Sequence, residues 1–146
     1  MEALENLLKR AKKINISKIV NAILRDKKVQ VYILNLNRYE QLYDFGIDAN
    51  GKSLGDYSAK TIIDKEAKNQ PFDHVTLKDT GDFYKTFKLI IGTNEFEIDA
   101  NTEKDDKDLA EVYGEILGLT DENVQIVIEL FKERLGLIIL EAITGV

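Results

Sequence analysis

The stretch Val75-Thr-Leu-Lys-Asp-Thr-Gly-Asp-Phe-Tyr-Lys-Thr-Phe87 runs directly into Lys88-Leu-Ile-Ile91, and it decides how the middle of the chain folds. Residue types that cap helices come first, a glycine follows, and Phe83 and Phe87 then stand four positions apart. This order predicts a short capped helical turn that delivers the chain into a β-strand.

Two carboxylates and a glycine inside this stretch have specific predicted roles. Asp79 and Asp82 are interpreted as capping residues that accept hydrogen bonds from backbone N–H groups, rather than as a catalytic pair. Gly81 is expected at a point of close approach, where a side chain would collide with a packed neighbour.

A β-hairpin is predicted immediately downstream. Every second residue is apolar on both sides of the turn Gly92-Thr-Asn94, which gives the hairpin one apolar face. Two strands alone are marginally stable and leave open edges, so we expect helices, and at an edge a neighbouring copy, to cover them. The charged run from Asn101 to Asp108 is predicted to be a loop.

Helices are predicted upstream of the central stretch. Apolar residues at i, i+3, i+4 and i+7 predict a short amphipathic helix that ends near Asn15: Leu4, Leu7, Leu8 and Ala11. Ser17 is expected to cap a longer helix that runs to about Phe45 and stops at Gly46. Alternating β-branched residues from Val29 to Leu34 leave a strand as the competing assignment. The helical assignment rests on one stripe of residues: Tyr32, Leu36, Tyr39 and Tyr43.

The segment between Gly46 and Pro71 contains turn signals and one short helix. A surface loop is predicted from Gly46 to Gly55, with its tightest turn at Asn50-Gly51. Ser58 is predicted to cap a helix that ends before Pro71.

The C-terminal part is predicted to be mainly helical. A short helix after Asp108 is interrupted at Gly114, and Thr120 caps the last helix, whose main apolar stripe keeps helical spacing throughout. A second apolar row lies well round the circumference: Ile126, Leu130 and Leu137. The fold class is therefore α+β, with long N-terminal and C-terminal helices packed on a small antiparallel hairpin. Residues 1–146 are expected to form a single domain.

Composition narrows the possible function. The chain contains no cysteine and one histidine, which leaves no thiolate metal site or thiol nucleophile. The net charge of −6 argues against sequence-specific or wrapping contact with nucleic acid, although Lys9, Arg10, Lys12 and Lys13 form a local basic cluster. The first residues have neither the pattern of a secretory signal nor that of a membrane span.

No catalytic constellation is predicted from the residue pattern. His74 lies in a loop beside Asp73 and is interpreted as a surface or structural hydrogen-bonding residue rather than a base or a ligand. The sequence contains no nucleophile elbow and no phosphate-binding glycine loop. We expect no enzymatic activity and no cofactor.

The central stretch resembles the signature of a virion protein family. Leucine, aspartate, threonine and glycine occur in order and two aromatic residues follow: Leu77, Asp79, Thr80, Gly81, Phe83 and Phe87. This pattern is similar to the signature of tail-completion (neck, or virion-morphogenesis) proteins of tailed bacteriophages. The resemblance extends over about Gly46 to Ala100, and the two ends match by the order of elements.

This resemblance implies a structural protein of the virion neck or tail, present in the host cytoplasm during assembly. Its implied partners are further copies in a head–tail connector ring, the portal or connector, and tail proteins. The second apolar row of the last helix is the candidate interface, with the stripe Tyr32, Leu36, Tyr39 and Tyr43 as its expected complement. The alternative function is a small, acidic, cytoplasmic binding or regulatory module.

Overall fold

A computed structural model describes residues 2–145. In chain order the helices are α1 (Glu2–Lys12), α2 (Ile16–Arg25), α3 (Lys27–Asn35), a π-helix (Leu36–Phe45), α4 (Ala59–Ala67), α5 (Asp82–Lys85), α6 (Leu109–Tyr113) and α7 (Asp121–Thr144). Between α5 and α6 lie four strands, β1 (Lys88–Ile91), β2 (Phe96–Asp99), β3 (Glu103–Lys104) and β4 (Lys107–Asp108). The predicted α+β class is confirmed.

The prediction of one helix from Ser17 to about Phe45 was wrong, because the chain bends at Asp26. This residue is extended, with φ −66° and ψ 120°, and its side chain accepts the Lys28 N–H at 2.9 Å to cap α3. The cap of α2 is Asn15, whose side chain accepts from the Lys18 N–H, and not Ser17. The segment from Val29 to Leu34 is helical, so the competing strand assignment is excluded.

The π-helix continues directly from α3 and ends where Gly46 adopts a left-handed conformation with φ +60°, as the sequence predicted. In a π-helix each N–H bonds to the carbonyl five residues earlier. The residues of the predicted stripe from Tyr32 to Tyr43 do not form one exposed face. Leu36 is buried in the core, whereas Tyr32 and Tyr39 are exposed.

Two buried amides of the π-helix hold the segment that leads into α7. Asn37 donates to the Ile116 carbonyl at 3.0 Å and accepts the Gly118 N–H at 2.8 Å. Gln41 donates to the Gly118 carbonyl at 2.9 Å. Its amide oxygen accepts from the Thr120 N–H at 2.9 Å and from the Asn123 amide at 2.8 Å. These five bonds tie the first half of the fold to the last helix.

The predicted hairpin is present and packs against the helices. Strands β1 and β2 are antiparallel, with Leu89 opposite Ile98, and α3 packs against β1. The run predicted as a charged loop instead contains the small antiparallel pair β3 and β4. Asp105 and Asp106 both have positive φ between these strands, which is the backbone of a tight hairpin turn that aspartate tolerates.

The predicted loop and short helix before Pro71 are confirmed. The Gly51 N–H bonds to the Asp48 carbonyl at 3.0 Å and closes the expected turn. Ser58 caps α4 by accepting the Thr61 N–H at 3.3 Å.

Helix α7 begins at the predicted cap, where Thr120 Oγ1 accepts the Asn123 N–H at 3.3 Å. It packs against α1 and α2. Arg134 joins it to the bend before α3 by an ion pair with Asp26 at 2.8 Å. The Lys28 N–H, followed by Arg134, lowers the pKa of Asp26.

Candidate functional site

The loop from Val75 to Gly81, here called the signature loop, is held by side chains from both of its flanks. The buried Thr76 accepts the Tyr84 hydroxyl on its carbonyl oxygen and donates its N–H to the Tyr57 hydroxyl at 2.8 Å. Burial raises the pKa of the Tyr84 phenol, which keeps this hydroxyl a donor. The loop is therefore a fixed part of the fold.

Two lysines, Lys65 in α4 and Lys68 directly after it, secure the other side of the signature loop. Lys65 is buried; its Nζ donates to the Lys78 carbonyl at 2.8 Å and lies 4.8 Å from the centre of the Tyr57 ring. Lys68 pairs with Asp79 at 3.1 Å and lowers the pKa of that carboxyl group. The Asp79 side chain thus binds a lysine, and its interpretation as a helix cap was wrong.

The roles of Asp82 and Gly81 also differ from those that the sequence predicted. The capping position before α5 is occupied by Gly81, and the Asp82 side chain lies 4.0 Å from Lys85 Nζ without capping the helix. A Cβ added to Gly81 would meet only Lys78 Cε, at 3.6 Å, so no collision demands a glycine. Its φ of +85° does, because this conformation is costly for other residues.

The aromatic residues of the signature are core residues. Phe83 and Phe87 are buried, with ring centres 5.1 Å apart. Leu77 is half-buried against the same core and has an uncommon φ of +60°. The six signature residues therefore shape the loop and anchor it to the core.

His74 bonds to the end of the π-helix. Its Nε2 contacts the Tyr43 carbonyl oxygen at 2.5 Å, and its Nδ1 lies 2.8 Å from Asp73 Oδ1. These contacts match the structural hydrogen-bonding role that the sequence predicted for it.

The tyrosine stripe does not form one exposed surface. Leu36 is buried, and Tyr39 and Tyr43 face Lys78, whose Nζ lies 5.2 Å and 5.1 Å from their ring centres. Only Tyr32 stands beside the second apolar row, in the same chain. The stripe is therefore not available as a continuous complement to that row.

The second apolar row lines a groove along α7, here called the α7 groove. It consists of two adjoining depressions that share Leu130: Tyr32 and Ile126 line the first, and Leu137 and Ile138 line the second. Ile126 is 39% exposed and Leu137 57% exposed, whereas Leu130 is half-buried against the core. The three residues predicted as an interface thus lie together, and two of them are free to contact a partner.

Acidic side chains border the α7 groove. Glu129 and Glu133 are both exposed and line it at its middle. Lys132 contacts Glu129 at 3.3 Å, whereas Glu133 forms no ion pair within residues 2–145. Lys132 and Arg134 line the groove beside these carboxylates, so its apolar floor has a rim with charges of both signs.

A second apolar surface lies on α1, the short amphipathic helix that the sequence predicted. None of the residues of α1 is buried, and Leu4 and Leu8 are 49% and 53% exposed. Arg10 attaches this helix to its own chain by donating to the Ile143 carbonyl at 3.1 Å.

Comparison with protein-family models, with curated proteins and with solved structures finds no match to this chain. No helix between Glu2 and Gly145 has both the length and the apolar character to cross a membrane. The same residues contain no group of three or more acidic or histidine side chains that could hold a metal ion.

Proposed function

We propose that this chain is a structural virion protein of a tailed bacteriophage, a subunit of the head–tail connector or tail-completion ring that acts by self-association and docking. The observation that carries the proposal is the pair of partly exposed apolar helix faces, on α1 and α7, of a chain whose central stretch resembles the tail-completion signature. Exposed apolar patches bordered by polar residues are typical of protein–protein interaction sites.

The rigid signature loop supports this proposal. Side chains from its flanks hold this loop in place. Lys65 donates to the Lys78 carbonyl, and Lys68 forms an ion pair with Asp79. A loop held in this way keeps its shape while the subunit docks with its partners. The proposed partners are further copies, the portal or connector, and tail proteins.

The composition of purified phage particles tests the proposal. We expect the chain to co-purify with tailed particles of the phage that encodes it, in a fixed ratio to the portal protein. Quantitative mass spectrometry of gradient-purified particles measures this ratio. Recovery of the chain only from the soluble lysate, with none in the particles, would contradict a virion role and favour the alternative of a regulatory module.

A further inference from the structure

We propose that the outer edge of β2 binds an extended, basic segment of a partner protein, which adds to the β1–β2 hairpin as a further strand. The inference goes beyond the proposed function and does not depend on it. Three features of the molecule carry it: the free backbone of β2, the cavity beside this strand and the charges around that cavity.

The register of the hairpin shows which backbone groups of β2 are free. The Gly92 N–H bonds to the Glu95 carbonyl at 2.9 Å, so these two residues form a hydrogen-bonded pair. Hydrogen-bonded and non-hydrogen-bonded pairs alternate between antiparallel strands, which places Phe96 and Ile98 in non-hydrogen-bonded pairs. Their N–H and C=O groups point away from β1 and have no other backbone partner within residues 2–145. Such an edge can pair with another strand.

A cavity of about 660 Å³ lies along this edge of β2. All four residues of the strand line the cavity, whereas a cavity above one face would contact only alternate residues. The segment 114–119 lines it as well. Ile98 and Ile116 are buried, and Leu117 and Leu119 are half-buried against the core, so much of the lining is apolar.

The segment 114–119 is fixed in place on the side of the π-helix. Asn37 donates to the Ile116 carbonyl and accepts the Gly118 N–H, and Gln41 donates to the Gly118 carbonyl. These bonds hold one wall of the cavity without a ligand. The slot beside β2 is therefore formed before a partner arrives, which lowers the cost of binding.

The charged residues around the cavity are all acidic. Glu97, Asp99 and Glu115 line it, and no lysine or arginine of the described chain does. Asp99 contacts Lys88 at 3.6 Å, whereas Glu97 and Glu115 form no ion pair within residues 2–145. Because opposite charges across a contact favour binding, the segment that fits this site is basic.

The side chains of β2 define the pattern of the added strand. Phe96 and Ile98 pack against the core, whereas Glu97 between them is exposed. Neighbouring strands align side chains of the same face, so apolar residues should alternate with basic residues that lie beside Glu97. The four residues of β2 span about 13 Å, which an extended segment of the same length matches.

A second copy of this chain does not meet these requirements. Pairing of two β2 edges would bring Glu97 and Asp99 of one copy close to the same residues of the other, and like charges oppose this pairing. The exposed cations near the N-terminus lie on helices, as do Lys9 and Lys12 on α1 and Lys18 on α2. Helical backbone groups are already bonded internally, so the partner is a different protein.

Peptide selection tests the predicted chemistry. Short random peptides in a ribosome-displayed library are selected on the purified protein, and we expect the enriched sequences to alternate apolar and basic residues. Selection on Glu97→Lys/Glu115→Lys should enrich acidic residues instead. The matched control, Glu129→Lys/Glu133→Lys, changes the net charge equally outside the cavity and should keep the basic pattern. No enrichment, or enrichment without this pattern on the natural chain, would overturn the inference.

A proline at the start of β2 tests the backbone pairing. Phe96→Pro removes an N–H that β1 does not use, at the first residue of an edge strand, where proline is tolerated. Phe96→Ala loses the same ring but keeps the N–H. We expect a selected peptide to bind Phe96→Pro about tenfold more weakly than Phe96→Ala, measured by fluorescence anisotropy. Equal affinities of the two folded variants would overturn the proposed pairing.

Amide hydrogen exchange on the natural chain provides a second test that needs no substitution. The selected peptide should slow exchange at Phe96 and Ile98 by about tenfold, because their N–H groups gain partners. Exchange at Glu97 should change little, since its N–H faces Ile90 within the hairpin. Unchanged exchange at both Phe96 and Ile98 under saturating peptide would overturn the inference.

Discussion

Replacing Gln41 by alanine is expected to destabilise the protein by about 3 kcal/mol or more, because three partners, two of them buried, each lose a hydrogen bond. The side chain of Gln41 is 1% exposed and bonds to the Gly118 carbonyl, the Thr120 N–H and the Asn123 amide. An unsatisfied buried polar group costs about 1 to 3 kcal/mol. Since a domain is stable by only about 5 to 15 kcal/mol, this loss is a large part of the total.

Urea denaturation of Gln41→Ala beside Gln125→Ala measures this effect. Gln125 is an exposed glutamine on α7, and its replacement should change the free energy of unfolding by less than about 0.5 kcal/mol. Similar unfolding midpoints for the two variants would show that the bonds of Gln41 do not hold the π-helix to the start of α7.

The second large effect is expected for Gly46→Ala, at the junction between the π-helix and the signature loop. A Cβ at Gly46 would lie 2.8 Å from the Val75 carbonyl oxygen and 2.8 Å from His74 Cδ2, and the residue has φ +60°. The backbone oxygen cannot move aside as a flexible side chain could. The substitution therefore combines conformational strain with a steric clash.

Gly51→Ala is the control that isolates strain. Gly51 has φ +80° and open space around the position of a Cβ, so alanine there pays only the conformational cost. Thermal unfolding should show a further loss of about 1 to 3 kcal/mol for Gly46→Ala, the usual range for overpacking. An equal loss in both variants would mean that the Val75 carbonyl is not a rigid barrier.

Local signals in the sequence predicted the elements that local chemistry determines. Ser58 and Thr120 cap helices as expected, Gly46 stops one, and alternation located β1 and β2. The sequence also contains a local signal for the bend at Asp26, because an aspartate can cap a new helix. Continuous apolar spacing across it favoured one long helix instead, and that prediction was wrong.

Features that depend on distant contacts were not predictable from one sequence. The π-helix places Asn37 and Gln41 against a segment about 80 positions away, and no local pattern indicates this pairing. The sequence correctly indicated that position 81 needs a glycine, but the predicted reason was a collision, which is absent. The reason is the positive φ of Gly81. Gly46, read only as a helix stop, is the glycine packed against backbone.

The sequence predicted the α7 side of the candidate interface but not the surface that would bind it. Helical spacing in α7 correctly grouped Ile126, Leu130 and Leu137, because their relative positions depend only on a regular helix. Their complement depends on which other apolar faces remain uncovered, and this follows from tertiary packing. The leucines of α1 were visible as a stripe, but spacing does not distinguish a stripe that packs inside from one left exposed.

The central claim is that this chain is a connector subunit that acts through its exposed apolar surface. The most direct test is whether heads join to tails in phage that carry Leu137→Glu. Leu137 is 57% exposed, so the isolated variant should melt like the natural chain, whereas Leu130 is half-buried and its replacement would confound folding with docking. Electron microscopy should show separate heads and tails for Leu137→Glu and joined particles for the control Ile63→Glu. Joined, infectious particles at normal yield for Leu137→Glu would contradict the account.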